Sequence, residues 1–171
     1  MHNILFVIAN NKFQDFEYRI PREILENEGN KITVCAEKTG ICIGVFDHET
    51  TATVALKQAK GVDYDAVIFV GGGWALRQYQ NNPDYLRLAT EAKLLCAICI
   101  APSLVSDSGI FKDKQITGRD DEEETRKQYI ENNGGIFIKK NVVVDENIIT
   151  ANGPQSAEAF GREIVHALNQ D

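Results

Sequence analysis

Apolar positions in this chain fall into short continuous runs separated by amphipathic stretches. Three runs, NILFVIA (Asn3–Ala9), AVIFV (Ala66–Val70) and LLCAI (Leu94–Ile98), have the unbroken apolar character of strands covered on both faces. Lys31–Ala36 predicts another strand, and Ile41–Val45 with Thr51–Val54 predicts a hairpin or short side strands. Between strands, Phe16, Ile20, Ile24 and Leu25 recur at helical spacing over Phe16–Asn27, and Gly29 closes that helix. Pro21 inside it either kinks the helix or opens its main part. Further helices are expected at Pro83–Ala92 and Ala101–Ser108, the second ending at Gly109. Gln115–Thr117 reads as a short strand, and Asp120 with Glu123 reads as a capping box opening a helix that runs to Asn132. Val142–Val144 and Ile148–Thr150 flank turn residues as a hairpin, and Ser156 is placed as the cap of a last helix carrying Phe160, Ile164 and Leu168.

Strands alternating with helices imply βαβ units and a mostly parallel sheet with helices on both faces. A length of 171 residues fits a single domain spanning the whole chain. In such sheets ligands bind beyond the carboxyl ends of the strands. Three segments lie at such ends, Asn10–Glu17, Gly71–Trp74 and Cys99–Pro102, and they are expected to converge.

Charge and cysteine content narrow the function. A net charge of −7 argues against binding to nucleic acid or to anionic membranes, which reward a basic face. Met1 leads straight into the first strand without the pattern of a secretory leader, and no apolar run reaches the eighteen or so residues that span a bilayer. Four cysteines do not make a disulfide scaffold in a chain of this length, so a cytoplasmic protein with reduced thiols is expected.

Cys96 and Cys99 have the Cys-x-x-Cys spacing, which raises dithiol and zinc chemistry. Along a strand, however, three residues span about 10 Å and point the two side chains to opposite faces, whereas a disulfide needs Cα atoms within about 7 Å. Zinc lacks ligands, because none of the three histidines stands in a ligand-like pair, and neither metal nor cofactor is expected. Cys96 and Cys35 are read as small core residues. Cys99 falls where the strand must turn sharply into a helix, a position that projects a nucleophile, favours its thiolate and aims the next N–H at an oxyanion. The alternative is one more core cysteine. Gly71-Gly72-Gly73 lets backbone approach a ligand, although Leu76 breaks the dinucleotide pattern G-x-G-x-x-G. Glu17, alone, reads as a surface carboxylate; beside Cys99 and buried, it would be a carboxylic acid bonded to the sulfur.

Taken together, NILFVIANNKFQDFEYRIP, YDAVIFVGGG, CAICIAPSLVSDSGIFKDKQIT and IITANGPQSAEAFGREIVHALN resemble the ThiJ/PfpI superfamily over nearly the whole chain. That resemblance implies a flavodoxin-like three-layer α/β fold, related to class I glutamine amidotransferases. It implies Cys99 as nucleophile, Glu17 as its hydrogen-bonding partner, Gly72 and Ile100 as backbone oxyanion donors, and Arg119 and Asn152 as further pocket residues. It also implies a homodimer or larger homo-oligomer. Two departures stand out. The protease-like branch carries histidine directly after the cysteine, where this chain has Ile100. The deglycase-like branch carries it in the segment that corresponds to Gln115–Asp120, where Arg119 fills the slot. His2, His48 and His166 match neither position, although His48 could act from a neighbouring subunit. Arginine keeps its proton, so Arg119 stabilises a thiolate or binds an anion but shuttles no proton. The expected function is hydrolase, deglycase or glyoxalase chemistry on a small carbonyl, amide or thioester. An oxidative-stress sensor using the same cysteine, with an oxidant as its small-molecule partner, and a degenerate binding domain are the alternatives.

Overall fold

The computed structural model describes residues 1–170. Its strands are β1 (Asn3–Val7), β2 (Asn11–Phe13), β3 (Lys31–Ala36), β4 (Gly40–Gly44), β5 (Glu49–Ala52), β6 (Val54–Ala55), β7 (Ala66–Phe69), β8 (Leu95–Ile98), β9 (Gln115–Ile116), β10 (Ile136–Phe137), β11 (Val142–Asp145) and β12 (Ile148–Ala151). Its α-helices are α1 (Asp15–Asn27), α2 (Gly73–Tyr79), α3 (Pro83–Glu91), α4 (Ala101–Val105), α5 (Thr125–Asn132) and α6 (Ala157–Leu168).

Seven strands form the main sheet in the order β11-β12-β8-β7-β1-β3-β6. All neighbours are parallel except the β11–β12 hairpin at one edge. Every residue of β7 and β8, and all of β1 but its first, is buried, which explains why these strands read as unbroken apolar runs. This is the mostly parallel, helix-flanked architecture that the alternation predicts and the flavodoxin-like fold that the resemblance implies. From β1 the chain moves outward to β3 and β6, then crosses back to β7 on the other side of β1. The crevice beyond the carboxyl ends of β1 and β7 is therefore the point where strand order reverses, the usual ligand site of an open α/β sheet.

Several local expectations are corrected. The acidic run does not form a capping box: Asp121 Oδ1 accepts the Thr125 N–H at 3.0 Å, and α5 starts at Thr125 after Glu124 in a left-handed turn (φ 52°). Ser156 stands before α6 without capping it, because its hydroxyl donates to Asn152 Oδ1 at 2.6 Å. The helix expected over Ala101–Ser108 is α4 followed by a 3-10 turn, Ser106–Ser108. Thr51–Val54 divides between two sheets: β5 pairs antiparallel with β4, while β6 joins β3 at the edge of the main sheet. The strand at Gln115 pairs only with β10. Helix α2, which begins at the last glycine of the triplet, has no counterpart in the periodicity reading. Pro21 lies inside α1 as one continuous helix.

Candidate active site

Each crossover delivers one part of the site. The loop after β1 ends at Gln14, whose side-chain oxygen accepts the N–H groups of Phe16 and Glu17 at 2.7 and 3.2 Å. That cap starts α1 and leaves Glu17 in its first turn, completely buried. After β7, the Gly71 carbonyl accepts the Gln14 N–H at 3.1 Å, which draws the two strand ends together. Gly72 (φ 122°) passes so close to Lys12–Gln14 that a Cβ there would lie 2.5 Å from the Lys12 oxygen, so only glycine fits. After β8, Cys99 takes a left-handed conformation (φ 64°), turning the chain into α4 with Pro102 in its first turn. Both backbone groups of Cys99 are anchored: its N–H donates to the Ala151 oxygen at 2.9 Å, and its oxygen accepts the Arg119 N–H at 2.7 Å.

These parts meet in one cavity of about 430 Å³. All six residues singled out from the sequence line it: Glu17, Gly72, Cys99, Ile100, Arg119 and Asn152. Gln14, Phe46 and Gln155 are among the further lining residues, and the sequence singles out none of the three. Gln14 is disguised as an ordinary loop residue, and Phe46 arrives from the β4–β5 hairpin of the side sheet. Asn152 is spoken for, accepting from Ser156 and Gln155 (3.1 Å) and donating to Asn141 (3.3 Å). Its role is to shape the wall.

The Glu17 carboxyl is the electrostatic centre. Its Oε2 accepts the Gly71 N–H at 2.8 Å. The carboxyl lies beside Cys99, near enough for each group to shift the other's ionisation, while Oε1 has no hydrogen-bond partner. Burial pushes its pKa up to about 8, against the smaller opposing pulls of Cys99, the Gly71 N–H and Arg119. The group is therefore a neutral acid at pH 7, and its proton belongs on Oε1. Burial also pushes the Cys99 thiol up, and negative charge on Glu17 pushes it further; Arg119 and the Ile100 N–H oppose this. The thiolate expected from the helix N-terminus is thus outweighed by burial, α4 being only five residues long. Thiol and acid act as one unit, in which the first proton lost leaves a single negative charge that both groups share.

The dithiol reading fails on position. Cys96 is fully buried in β8, Cys99 is partly exposed, and both are free thiols. No histidine lines the cavity among the described residues. His48 lies along a separate groove with Tyr18 and Arg22, and its backbone N–H donates to Asp15 at 3.0 Å. Ile100, where a branch of the resembled superfamily has histidine, is a buried hydrophobic. No group of three or more metal-ligating side chains occurs among the described residues.

A doubly wound sheet with a cysteine on a left-handed elbow at its switch point defines a class of α/β proteins built to present one sulfur to a pocket. Within that class, the DJ-1/PfpI family model matches residues 2–167, and the chain belongs to that family. An uncharacterized protein of Methanocaldococcus jannaschii is 31% identical over 175 residues, covering 98% of this chain and 83% of the relative. The crystal structure of a ThiJ/PfpI domain protein from Brachyspira murdochii superposes with a TM-score of 0.90 at 27% identity, covering 99% of this chain and 97% of that one. DJ-1 of Schizosaccharomyces pombe shares the fold, with a TM-score of 0.82 at 24% identity, over 96% of this chain and 90% of the other.

Proposed function

We propose that this chain is a cytoplasmic cysteine enzyme of hydrolase, deglycase or glyoxalase type, acting on a small carbonyl, amide or thioester. One observation carries the reading: a buried carboxyl held beside a cysteine on a left-handed elbow inside a cavity. With a carbonyl substrate, the Cys99 sulfur bonds to the carbonyl carbon and the π electron pair moves onto oxygen. Glu17 gives its proton to that oxygen and takes the thiol proton, so the acid is neutral before and after the step. The Gly72 N–H, which has no acceptor among the described residues, and the Ile100 N–H stabilise charge on the oxygen as it develops. Four free cysteines among the described residues support a reducing compartment. No helix among these residues is long and apolar enough to cross a membrane. Phe16 and Phe46 pack together at 5.5 Å beside the cavity mouth yet remain 43% and 63% exposed, which supports a homodimer or larger homo-oligomer covering that rim.

Turnover of methylglyoxal or a model peptide tests the reading. It is expected in the native protein, abolished in Cys99→Ala, and reduced about 10²–10⁴-fold in Glu17→Gln. A second reading is favoured by the lack of any histidine in the cavity wall. Peroxide oxidation of Cys99 to a sulfenate releases water and needs no hydrolytic base, and the Glu17 acid would hydrogen-bond the oxidised sulfur. Stoichiometric oxidation at Cys99 without turnover of either substrate would select this sensor over the enzyme. Neither turnover nor oxidation would leave a binding domain.

A further inference from the structure

The wall facing Cys99 carries one cationic side chain, Arg119. Its backbone is tied to the elbow by the 2.7 Å bond to the Cys99 oxygen, which roots the side chain beside the sulfur, and its charge acts on both Glu17 and Cys99. Arg119 is exposed to the cavity and forms no ion pair with any described acid. Two acids share the wall, and neither neutralises it. Asp120 pairs with Lys139 at 2.8 Å. Glu17 lies buried, bonded to the Gly71 N–H. Two uncharged donors with no acceptor of their own also line the cavity. The oxygen of Gln14 is committed to its cap, which leaves its amide N–H groups without an acceptor among the described residues. The Gly72 N–H is also unclaimed. A site with one unpaired cation, free N–H donors, one acid already paired and another kept neutral favours a ligand with a planar anionic group, because guanidinium binds carboxylate through two parallel bonds.

Resting on the enzyme reading above and deepening it, we propose that the substrate is a small 2-oxo carboxylate, or a similar carbonyl compound bearing a carboxylate next to the reactive carbon. The carboxylate pairs with Arg119, and the adjacent carbonyl carbon then faces Cys99, with its oxygen toward the Gly72 N–H. A neutral aldehyde of the same size fills the cavity but leaves Arg119 unpaired. In a chain of net charge −7, affinity for a carboxylate must come from this local cation rather than from the overall field.

Binding of an inert analogue tests the subsite separately from the chemistry. Oxamate carries the carboxylate beside an unreactive amide carbonyl, and ethyl oxamate is its neutral ester. Calorimetric titration is expected to show oxamate binding the native protein at least about tenfold tighter than the ester, with affinity falling as salt rises. Arg119→Leu should abolish that preference and Arg119→Lys should restore part of it, with far-UV circular dichroism confirming both folds. Equal affinity for acid and ester, or a preference that survives Arg119→Leu, overturns the proposal. Glyoxylate and methylglyoxal then compare turnover. If oxamate binds through Arg119 while neither aldehyde is turned over, the subsite stands and the enzyme reading falls.

Discussion

Cys99 holds a backbone conformation that costs an L-residue about 1–2 kcal/mol and glycine almost nothing. The ordinary ranking of small residues should therefore invert at this position. Cys99→Gly is expected to be more stable than Cys99→Ala by about 1 kcal/mol, read from chemical denaturation of the two variants. An alanine variant at least as stable as glycine would mean that the elbow stores no strain. Glu17 exacts a different cost, which depends on pH. Its folded pKa of about 8 lies above the ordinary 4.5, so below pH 4.5 both states are protonated and stability is complete. As pH rises, the unfolded chain ionises first and stability falls, until the folded group ionises near pH 8 and the loss levels off. Glu17→Gln keeps an acceptor for the Gly71 N–H and removes the titration. The melting temperature of this variant should gain on the native protein between pH 5 and pH 8, by roughly 7–14 °C for about 3–4 kcal/mol. A constant gap across that range would place Glu17 in contact with water.

At the scale of elements, the site depends on a hairpin that belongs to another sheet. Asp15, 2% exposed, accepts the N–H groups of Phe46 and His48 at 2.9 and 3.0 Å, and so pins the β4–β5 turn to the start of α1. Gly44 makes room for it, since a Cβ there would sit 2.3 Å from Asp15 Oδ1. Asp15→Ala is expected to cost about 1–3 kcal/mol and to release the Phe46 and His48 amides to hydrogen exchange while β1 stays protected. Unchanged exchange at both amides would show that the hairpin stands without this anchor. No periodicity could announce this contact, because it joins a first-turn acid to a turn some thirty residues onward. The main strands were legible for the opposite reason: burial on both faces writes a continuous apolar run that needs no partner to be recognised. Helix α2 escaped because its first residue is Gly73 and its seven residues are too few to establish a helical period. The acidic run misled because Asp120 and Asp121 compete for the same role, and only geometry assigns the bond to Asp121.

Across the whole molecule, residues 17, 72, 99 and 152 become neighbours because β1, β7, β8 and β12 of the main sheet end at one edge, and Arg119 joins them from beyond β9 of the two-stranded sheet. The convergence of Glu17, Gly72 and Cys99 followed from chain alternation, and Cys99 and the glycine turn from their places at strand ends, whereas Arg119 and Asn152 came with the resemblance. The identities of Glu17 and Arg119 as partners came through family resemblance, since an isolated carboxylate or guanidinium carries no local signal of burial. Assembly is the remaining test at this scale. If the exposed Phe16–Phe46 pair is covered in a homodimer as proposed, Phe46→Asp should convert dimer to monomer in light scattering; a native monomer would refute that assembly.

Gly71 carries a consequence of its own. An added Cβ would lie 2.5 Å from Glu17 Oε2 and 2.9 Å from the Cys99 Cβ, although Gly71 itself reacts with nothing. The tolerance of the site is thus narrower than a methyl group at a position that no inventory of reactive groups would name. Over evolutionary time, a chain of this lineage could fall silent by one conservative-looking exchange there, keeping its fold, its cysteine and its acid while losing the contact between them.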